Sequence, residues 1–582
     1  ILEKIMLENL TDNRIKKMTL PQLSELCEEA RQKIISTVYK NGGHLSSNLG
    51  MVELTVALHY VFDFPEDKII FDVGHQCYTH KLLSGRYGKF DTLRKRNGLS
   101  GFPKREESVY DCYNTGHAGT SVSAALGLAK ARDVKNENYK VIAVIGDGSF
   151  NNGLVYEAFN SLRLLNTRIL LILNDNGMSI APTVGSMHNY LEFLSKSSEQ
   201  KEKREKHANI FNRFGFAYDG VYDGNNLSEM IEKLREAKLK LETQSVILHV
   251  ATKKGKGYSF CEENPEATHG ISISSSKQIS DEYSQVLGDT LSELAEKDER
   301  IIAVTAAMTT SLGLGKFFEK FPDRSVDVGI CEEHATILCS AMATQGLKPY
   351  YAVYSTFLQR SFDEILIDIC SQKLPVTLCI DRAGISGSDG ETHQGVFDLS
   401  FLSFVPNLTI AVPKDIEEFK DMLRFSVGFD GPLAIRYPRE GKHIFERHEK
   451  IERGKWEILK APEDKAVIIA CGERMINLAL AAERLLSESG TEVGVINARF
   501  VKPLDTELLD KLECGLIVTL EDNALLGGFG SLIDTYFSES KRLIKNFAYS
   551  DEFIPQGSVD DLMRDYGINL KDICDYIKNA CG

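Results

Sequence analysis

Short aliphatic runs alternate along this chain with longer segments in which apolar residues recur at helical spacing. Two of the runs, at 141–145 and 169–173, are β-branched or aliphatic throughout and end in Gly or Asn turns, as buried strands do. The segment between them is long enough for one helix. A strand-helix-strand unit of this kind belongs to a parallel sheet, so both turns are predicted at the same carboxyl edge, where ligands collect.

Polar residues follow both predicted strands directly. Asp147 lies in Gly-Asp-Gly-Ser at 146–149, and Asn176 lies in Asn-Asp-Asn-Gly-Met at 174–178. The Asp147 carboxylate, the Asn176 amide oxygen and the Met178 main-chain carbonyl form an all-oxygen set suited to Mg²⁺ that also binds a diphosphate. For Gly-Asp-Gly alone, an ordinary turn with an Asp cap is an equal alternative. The second motif at this spacing favours the metal site.

The alternation of strands and helices occurs three times, which predicts three consecutive doubly wound α/β domains with mostly parallel sheets. We place them at residues 1–275, 276–445 and 446–582, with a linker in the polar stretch 272–277. The charged run 196–206 is expected to be a solvated helix or excursion. The Leu-Gly-Gly-Phe-Gly string at 526–530 lacks nucleotide-loop spacing and is interpreted as a packing turn at a helix start.

Composition narrows the class of protein. With 582 residues and 43% hydrophobic content the chain can bury a large core, and a net charge of −15 disfavours nucleic acid or anionic membrane as the main partner. Twelve cysteines without CxxC pairs indicate reduced thiols, so a cytoplasmic location is expected. No apolar stretch reaches the roughly 18 to 20 residues that span a bilayer, and no secretory signal pattern is present.

Further motifs assign a family. In chain order they are GGHL at 42–45, DVGHQ at 72–76, GH at 116–117, KGKGY at 254–258, DVGICE at 327–332, YSTFLQR at 354–360, DRAG at 381–384 and GSDGETHQG at 387–395. With the Asp147 and Asn176 motifs, they closely resemble the 1-deoxy-D-xylulose-5-phosphate synthase family of transketolase-like enzymes, over nearly the whole chain. The resemblance implies a homodimeric transferase with thiamine diphosphate (ThDP) and Mg²⁺. It would condense pyruvate with D-glyceraldehyde 3-phosphate to 1-deoxy-D-xylulose 5-phosphate and CO₂, the first step of non-mevalonate isoprenoid synthesis.

The resemblance also implies cofactor contacts. Glu332 would hydrogen-bond the aminopyrimidine ring, and Phe357 would stack on it. As alternatives, Glu332 caps the helix that follows, and Phe357 is an ordinary core residue. The remaining implied cofactor contacts are His75, Gly116, His117, Ala118 and Tyr258, and Gly148 and Ser149 would lie beside the diphosphate.

The implied catalytic set handles protons and substrates. His44, His269 and His393 are candidate proton carriers, although a lone histidine is more often structural. Arg382 and Arg436 resemble a phosphate clamp, and Arg360 would approach the substrate carboxylate or phosphate; surface salt bridges are the alternative for all three. Asp389 would order the acceptor's hydroxyls, and Tyr354 would line the same pocket. In the family this site lies between the first two domains of one subunit.

The chain departs from the family pattern at several positions. Ala118 stands where Ser is usual, Glu333 replaces Gln, Asn225 replaces His, and Ser403 replaces Arg, while the excursion 187–211 is short. Loss of a hydroxyl at position 118 costs about 1 kcal/mol if it normally bonds the diphosphate. These changes leave open a divergent paralogue with an altered substrate or a non-catalytic role. Transketolase and a ThDP decarboxylase are the enzymatic alternatives, disfavoured by the three arginines.

Overall fold

The structure is a computed structural model, and it describes residues 7, 10, 12–178, 185–195, 209–271, 281–441, 445, 449–540 and 542–581. The predicted linker 272–277, the charged run 196–206 and much of the short excursion 187–211 lie outside the described residues. The chain divides into two compact units. The first unit holds residues up to 276 together with Gly329–Cys331, and the second holds Lys277–Val328 and Glu332–Gly582. The three domain boundaries remain a prediction.

The first unit is built on a five-stranded parallel sheet in the order β1-β2-β3-β5-β4. Strands β2 and β3 confirm the two runs with which the sequence analysis began, and Gly146 of β2 pairs with Asn174 of β3. The turns that carry Asp147 and Asn176 therefore leave the sheet side by side. The strands are β1 (Lys68–Phe71), β2 (Val141–Gly146), β3 (Leu170–Asp175), β4 (Phe216–Asp223) and β5 (Ser245–Ala251).

Helices cover both faces of this sheet. Successive residues of β2 and β3 point alternately into two hydrophobic clusters, with Ile142 and Ile172 in one and Ala143 and Leu171 in the other. Residues buried on both faces explain why these strands are aliphatic throughout. The helices are α1 (Asp12–Ile15), α2 (Leu20–Asn41), α3 (Ser46–Gly50), α4 (Val52–Val61), α5 (Tyr78–Lys81), α6 (Ser121–Lys135), α7 (Asp147–Phe150), α8 (Gly153–Leu165), α9 (Ser186–Ser195), α10 (Ile210–Phe214), α11 (Leu227–Lys240) and α12 (Ser259–Glu263).

The second unit contains two larger sheets, ordered β17-β11-β12-β10-β9-β7-β8 and β14-β16-β15-β18-β19, and a short β13-β6 pair. Both larger sheets are parallel except at β17 and β14. The strands are β6 (Asp281–Glu282), β7 (Ile301–Thr305), β8 (Ser325–Asp327), β9 (Lys348–Tyr354), β10 (Thr377–Asp381), β11 (Thr409–Ala411), β12 (Leu433–Arg436), β13 (Glu440–Gly441), β14 (Glu457–Lys460), β15 (Ala466–Ala470), β16 (Gly494–Asn497), β17 (Phe500–Lys502), β18 (Leu516–Ala524) and β19 (Leu543–Tyr549).

Strand β17 belongs in sequence to the third predicted domain, yet it pairs antiparallel with β11 at the edge of the second domain's sheet. This short strand joins the two sheets, as does a buried ionic cluster in which Arg499 contacts Glu418 at 3.0 Å and Glu457 at 2.9 Å. Lys414 also pairs with Glu457. The two cations and two carboxylates balance in charge, which makes their burial tolerable.

The helices of the second unit flank its two sheets. They are α13 (Tyr283–Ala295), α14 (Gly315–Lys320), α15 (Glu332–Thr344), α16 (Ser355–Leu358), α17 (Phe362–Glu364), α18 (Asp398–Leu402), α19 (Ile416–Gly428), α20 (Glu473–Glu488), α21 (Thr506–Lys511), α22 (Phe529–Tyr536), α23 (Val559–Asp565) and α24 (Leu570–Cys581). Helix α22 begins within the 526–530 string, as predicted, and the buried Glu521 carboxylate accepts the Phe529 and Gly530 N–H groups at 2.7 and 2.8 Å.

All twelve cysteines are free thiols. In the part of the chain that the structure describes, no helix combines the length and the apolar character needed to cross a membrane.

Candidate active site

The first unit brings the predicted metal ligands together at the carboxyl ends of β2 and β3. Asp147 is buried and opens α7. The Asn176 N–H donates to Asp147 Oδ1 at 3.4 Å, and the Met178 N–H donates to Asn176 Oδ1 at 3.2 Å. Among the described residues no group of three or more His, Cys, Asp or Glu side chains could hold a metal. A cation at this edge would therefore depend on the amide and carbonyl oxygens beside one carboxylate, a donor set that fits Mg²⁺.

Asp72, to which the sequence analysis assigned no role, organises the neighbouring loop from the end of β1. Its buried carboxylate accepts the N–H groups of Gly119 at 2.9 Å and Ser121 at 3.0 Å. Burial raises the pKa of Asp72, and these two bonds, with the nearby Ser149 hydroxyl, oppose that rise. Asp72 therefore fixes the loop that carries Gly116, His117 and Ala118. The only signal in the sequence was its position directly after a strand.

This loop leaves a cradle that a side chain would fill. Gly119 has a φ of +81°, and a Cβ there would lie 2.5 Å from Asn152 Oδ1. Glycine is required both for the backbone conformation and for the close approach. Ala118 is buried just before it, and the Ser149 hydroxyl is directed to Asp72. Backbone that can approach a ligand this closely suits the diphosphate predicted here.

Three predicted histidines form a triangle in the first unit. The ring centroids of His44, His75 and His269 are 5.2 to 5.3 Å apart. Asn48 Nδ2 donates to the main-chain carbonyls of His44 and His75, each at 2.7 Å, and so ties the two segments together. Burial, the charge of Lys254 and the other two rings lower the pKa of His269 well below its usual value. His269 is therefore neutral at neutral pH, and the nitrogen of its ring that carries no proton can accept a hydrogen bond.

Lys254 follows β5 and is a second residue that the sequence analysis left without a role. It is buried, and burial lowers its pKa to about 8, while the charges of Asp147 and Glu266 act in the opposite direction. The Gly255 N–H donates to Ser46 O at 2.8 Å, which holds this turn against α3. The same turn carries the predicted cofactor contact Tyr258, whose hydroxyl lies 3.3 Å from that of Tyr39.

In the second unit, Glu332 is the first residue of α15 and is almost completely buried. Its Oε2 lies 3.6 Å from Arg360 Nη1 and makes no hydrogen bond among the described residues. Burial raises the pKa of Glu332 to about 7; Glu333 adds to the rise, and Arg360 opposes it. A helix-capping role is compatible with this position, but a buried carboxyl that titrates near neutrality is suited to proton transfer.

Four other predicted residues meet at the carboxyl ends of β9 and β10. The Tyr354 and Phe357 rings stack with centroids 5.7 Å apart, and Phe357 meets the edge of His393 at the same distance. The Arg382 guanidinium lies 3.8 Å above the Tyr354 ring, and its Nη1 contacts Asp381 Oδ1 at 3.1 Å. Burial raises the pKa of Asp381 to about 6. Asp381 is thus a buried anchor for Arg382 that had no assigned role.

Asp389 and His393 share the segment 384–395, which we call the acceptor loop. Its ends are closed by two hydrogen bonds between Gly384 and Gly395, of 2.7 and 2.8 Å. Thr356 Oγ1 donates to Thr392 O at 2.8 Å, and the Thr392 hydroxyl lies 2.8 Å from His393 Nδ1. The loop is therefore held against the turn that carries Phe357, and Asp389 is half-buried within it.

The two arginines near the end of β12 differ in their surroundings. Arg436 is buried, and two of its nitrogens contact Asp398 at 2.8 and 3.0 Å, while Nη2 also donates to Asp522 O at 3.1 Å. Arg439 lies past the strand end and is exposed, and its charge acts on Tyr354 and Asp381. The contacts of Arg436 correspond to the salt-bridge alternative, although the bridge is buried rather than on the surface.

The departures from the family pattern have local explanations. Asn225 donates to Gly50 O at 3.0 Å and accepts the Lys253 N–H at 2.8 Å, which ties two turns together. Ser403 Oγ donates to Gly527 O at 2.7 Å. Glu333 is partly exposed beside Glu332 and adds only a secondary contribution to the raised pKa.

Comparisons with known proteins agree over most of the chain. A family model described as 1-deoxy-D-xylulose-5-phosphate synthase matches residues 7–210 and 193–252. The transketolase pyrimidine binding domain matches 281–441, and the transketolase C-terminal domain matches 454–573.

Curated 1-deoxy-D-xylulose-5-phosphate synthases are similar over nearly full length. The protein of Clostridium tetani is 46% identical, over 95% of this chain and 96% of its own. That of Caldanaerobacter subterraneus subsp. tengcongensis is 45% identical over 97% of both chains. A solved transketolase from Campylobacter jejuni has 18% identity and a TM-score of 0.46 over 97% of this chain and 100% of that one, too low to carry an argument. The chain belongs to the 1-deoxy-D-xylulose-5-phosphate synthase family and has its transketolase-like α/β fold.

Proposed function

We propose that this protein condenses pyruvate with D-glyceraldehyde 3-phosphate, releasing CO₂ and forming 1-deoxy-D-xylulose 5-phosphate, with ThDP and Mg²⁺ as cofactors. The observation that carries the proposal is Glu332, a buried carboxyl whose pKa is raised to about 7 and whose Oε2 makes no hydrogen bond among the described residues. A fold would not retain such a group for stability, because desolvating it is costly. A hydrogen bond from Glu332 to the aminopyrimidine ring of bound ThDP would explain why the buried carboxyl is present.

The first unit would bind the metal and the diphosphate. Asp147, Asn176 and Met178 would hold Mg²⁺, and the Gly116–Ala118 segment with Gly148, His75 and Tyr258 would surround the phosphates. The Ser149 hydroxyl already serves Asp72, so its contribution would come through loop shape. Lys254 adds a buried positive charge at this edge that would favour an anionic ligand. When bound, ThDP supplies a carbon nucleophile and an electron sink for decarboxylation.

The second unit would bind and activate the pyrimidine ring. Near neutral pH, both the protonated and the ionised form of Glu332 are populated. The carboxyl could therefore donate a proton to a ring nitrogen, or accept one from it, at a small cost in free energy. Phe357 would stack on the ring, as its position in an aromatic pair with Tyr354 allows.

The histidines would carry protons during the reaction. His269 is neutral at physiological pH, so it would take part through hydrogen bonds of its neutral ring, with no standing positive charge. His44 lies beside it, and His393 lies in the second unit on the acceptor loop, next to Phe357.

The substrate charges would be divided among arginines. Arg360, beside Glu332, would meet the pyruvate carboxylate. Arg382 and the exposed Arg439 would bind the aldehyde's phosphate, because both act on the Tyr354 and Asp381 cluster, and Asp389 would order the hydroxyls. We assign Arg436 a supporting role instead of the clamp role first expected, because phosphate binding would have to break its buried pair with Asp398.

The test is CO₂ release from pyruvate by the purified protein with ThDP and Mg²⁺, with and without D-glyceraldehyde 3-phosphate. We expect the aldehyde to stimulate release and deoxyxylulose phosphate to form, with both lost in Glu332→Ala. Retained ThDP binding without turnover would instead identify a non-catalytic paralogue. Product from a ketose donor in place of pyruvate would identify a transketolase.

We also propose a homodimer in the cytoplasm. Family membership supports the dimer, and free thiols suit a reducing compartment. Light scattering of the purified protein tests whether it is a dimer, and fractionation of cells tests whether it is cytoplasmic.

A further inference from the structure

The acceptor loop is held by the C-terminal part of the second unit as well as by its own sheet. The Ile385 N–H donates to Asp522 Oδ1 at 3.0 Å, and Gln394 Nε2 donates to Pro555 O at 3.1 Å. Just beyond the loop, the Ala524 N–H donates to Val396 O at 2.8 Å. The loop residues with proposed roles in binding the aldehyde are thus attached to a region to which the sequence analysis assigned no chemistry.

Asp522 is the centre of this attachment. It lies at the end of β18 and is buried. Besides the Ile385 N–H, its Oδ1 accepts the Tyr549 hydroxyl at 2.6 Å, and its Oδ2 pairs with the Arg474 guanidinium. One carboxylate therefore binds a strand-end tyrosine, a helix arginine and the loop.

The base of the loop is shaped to receive this carboxylate. Gly384 has a φ of +83°, and a Cβ there would lie 2.1 Å from Asp522 Oδ2. Only glycine permits both the conformation and the contact. Within the loop, Gln394 Oε1 accepts the Ser386 N–H at 2.8 Å and the Gly387 N–H at 3.1 Å. These bonds connect the base of the loop to the segment that carries Asp389, so a change of position at the base would also displace that segment.

We propose that Asp522 is a positioning residue for the aldehyde-dependent step: it fixes the acceptor loop so that Asp389 and His393 face the incoming aldehyde. This inference rests on the proposed function of those two residues. Asp522 touches neither substrate nor cofactor in this scheme, and it acts through the Ile385 main chain. Cofactor activation at Glu332 should not depend on it.

The experiment compares Asp522→Ala and Asp522→Asn with a matched control, Asp534→Ala. Asp534 lies in the same part of the unit, is exposed, and accepts Asn546 Nδ2 at 2.6 Å away from the loop. Three quantities are measured: hydrogen exchange of peptides covering 384–395 in the holoenzyme, the KM of the holoenzyme for D-glyceraldehyde 3-phosphate, and the affinity of the cofactor-free full chain for ThDP. The exchange measurement does not require turnover.

We expect Asp522→Ala to speed exchange of the loop and to raise the aldehyde KM at least tenfold with ThDP affinity unchanged. Asp522→Asn should be intermediate, because its Oδ1 can still accept from Ile385 and Tyr549 while the Arg474 pair is lost. Asp534→Ala should match the wild type.

Equal loop exchange and equal KM in Asp522→Ala and Asp534→Ala would overturn the proposal. So would a loss of ThDP affinity in parallel with KM, since that indicates general destabilisation. If the wild type forms no product, the proposed function fails, and the exchange of the loop still decides whether Asp522 fixes it.

Discussion

Replacing Glu332 with glutamine should stabilise the protein, and increasingly so as pH rises. In the folded chain the carboxyl titrates near pH 7, whereas its ordinary pKa is 4.5. The folded state thus retains a proton that the unfolded chain releases, and stability falls as pH rises through that interval. Each pH unit corresponds to about 1.4 kcal/mol, so the full cost above pH 7 is about 3 kcal/mol. Glutamine carries no charge and avoids it.

The destabilisation by the Glu332 carboxyl grows with pH between its unfolded and folded pKa values. With pKa values of 4.5 and about 7, the cost is about 1 kcal/mol at pH 5 and about 3 kcal/mol at pH 8.5. Glu332→Gln should therefore exceed the wild type in unfolding free energy by an amount that grows by about 2 kcal/mol between these pH values. The exposed Glu319→Gln is the control, for which no comparable growth is expected.

The assay is urea unfolding of the protein without cofactors at pH 5 and pH 8.5, followed through hydrogen exchange of peptides from 332–344. That choice reports on the unit that contains Glu332 in a chain too large to unfold as one cooperative system. A stability difference between Glu332→Gln and wild type that does not grow with pH would refute the reasoning. The same variant should lose product formation, because glutamine cannot transfer a proton. A group that is needed for activity can lower the stability of the folded protein.

Three further outcomes are expected. Asp147→Ala should weaken Mg²⁺-dependent ThDP binding at least tenfold in calorimetry, and binding equal to wild type would exclude the metal role. Arg439→Ala should raise KM for the aldehyde by about 10- to 100-fold with a smaller change in kcat, the loss of one charge-assisted hydrogen bond. Arg436→Ala should instead lower unfolding free energy by about 3 to 5 kcal/mol in urea titrations, because Asp398 remains buried without its partner. If Arg436→Ala raised KM for the aldehyde without lowering the unfolding free energy, Arg436 would be a phosphate ligand, as first expected.

The residues at the carboxyl ends of β2 and β3 could be predicted from the sequence to lie together. Consecutive parallel strands are commonly neighbours in a sheet, so Asp147 and Asn176 were expected to lie close together. The pairing of Gly146 with Asn174 and the bond from the Asn176 N–H to Asp147 Oδ1 show that they do. The signal was a short, continuous aliphatic run that ends in a Gly or Asn turn, because both strands are buried on both faces.

Contacts between residues distant in sequence could not be predicted in this way. Asp72 bonds Gly119 and Ser121 across 47 and 49 residues, and nothing in its own motif indicates those partners. Likewise, no local pattern places Asp398 beside Arg436, so nothing in the sequence indicated that this strand-end arginine is held in a buried ion pair. The three residues of β17 were too few for a periodic pattern, and their pairing with β11 joined two regions that the sequence analysis separated.

The departures from the family pattern bear on whether the site is active, and their contacts favour an active synthase over a silent paralogue. Asn225 and Ser403 donate hydrogen bonds to main-chain carbonyls, of Gly50 and Gly527, and so stabilise supporting turns. Ala118 lacks a hydroxyl, but the loop is held by the Asp72 carboxylate, which accepts the N–H groups of Gly119 and Ser121. Neither bond involves the side chain at position 118. Glu333 adds to a pKa that burial alone already raises. Each substitution therefore alters a support or a secondary charge, and the groups that would perform the chemistry remain.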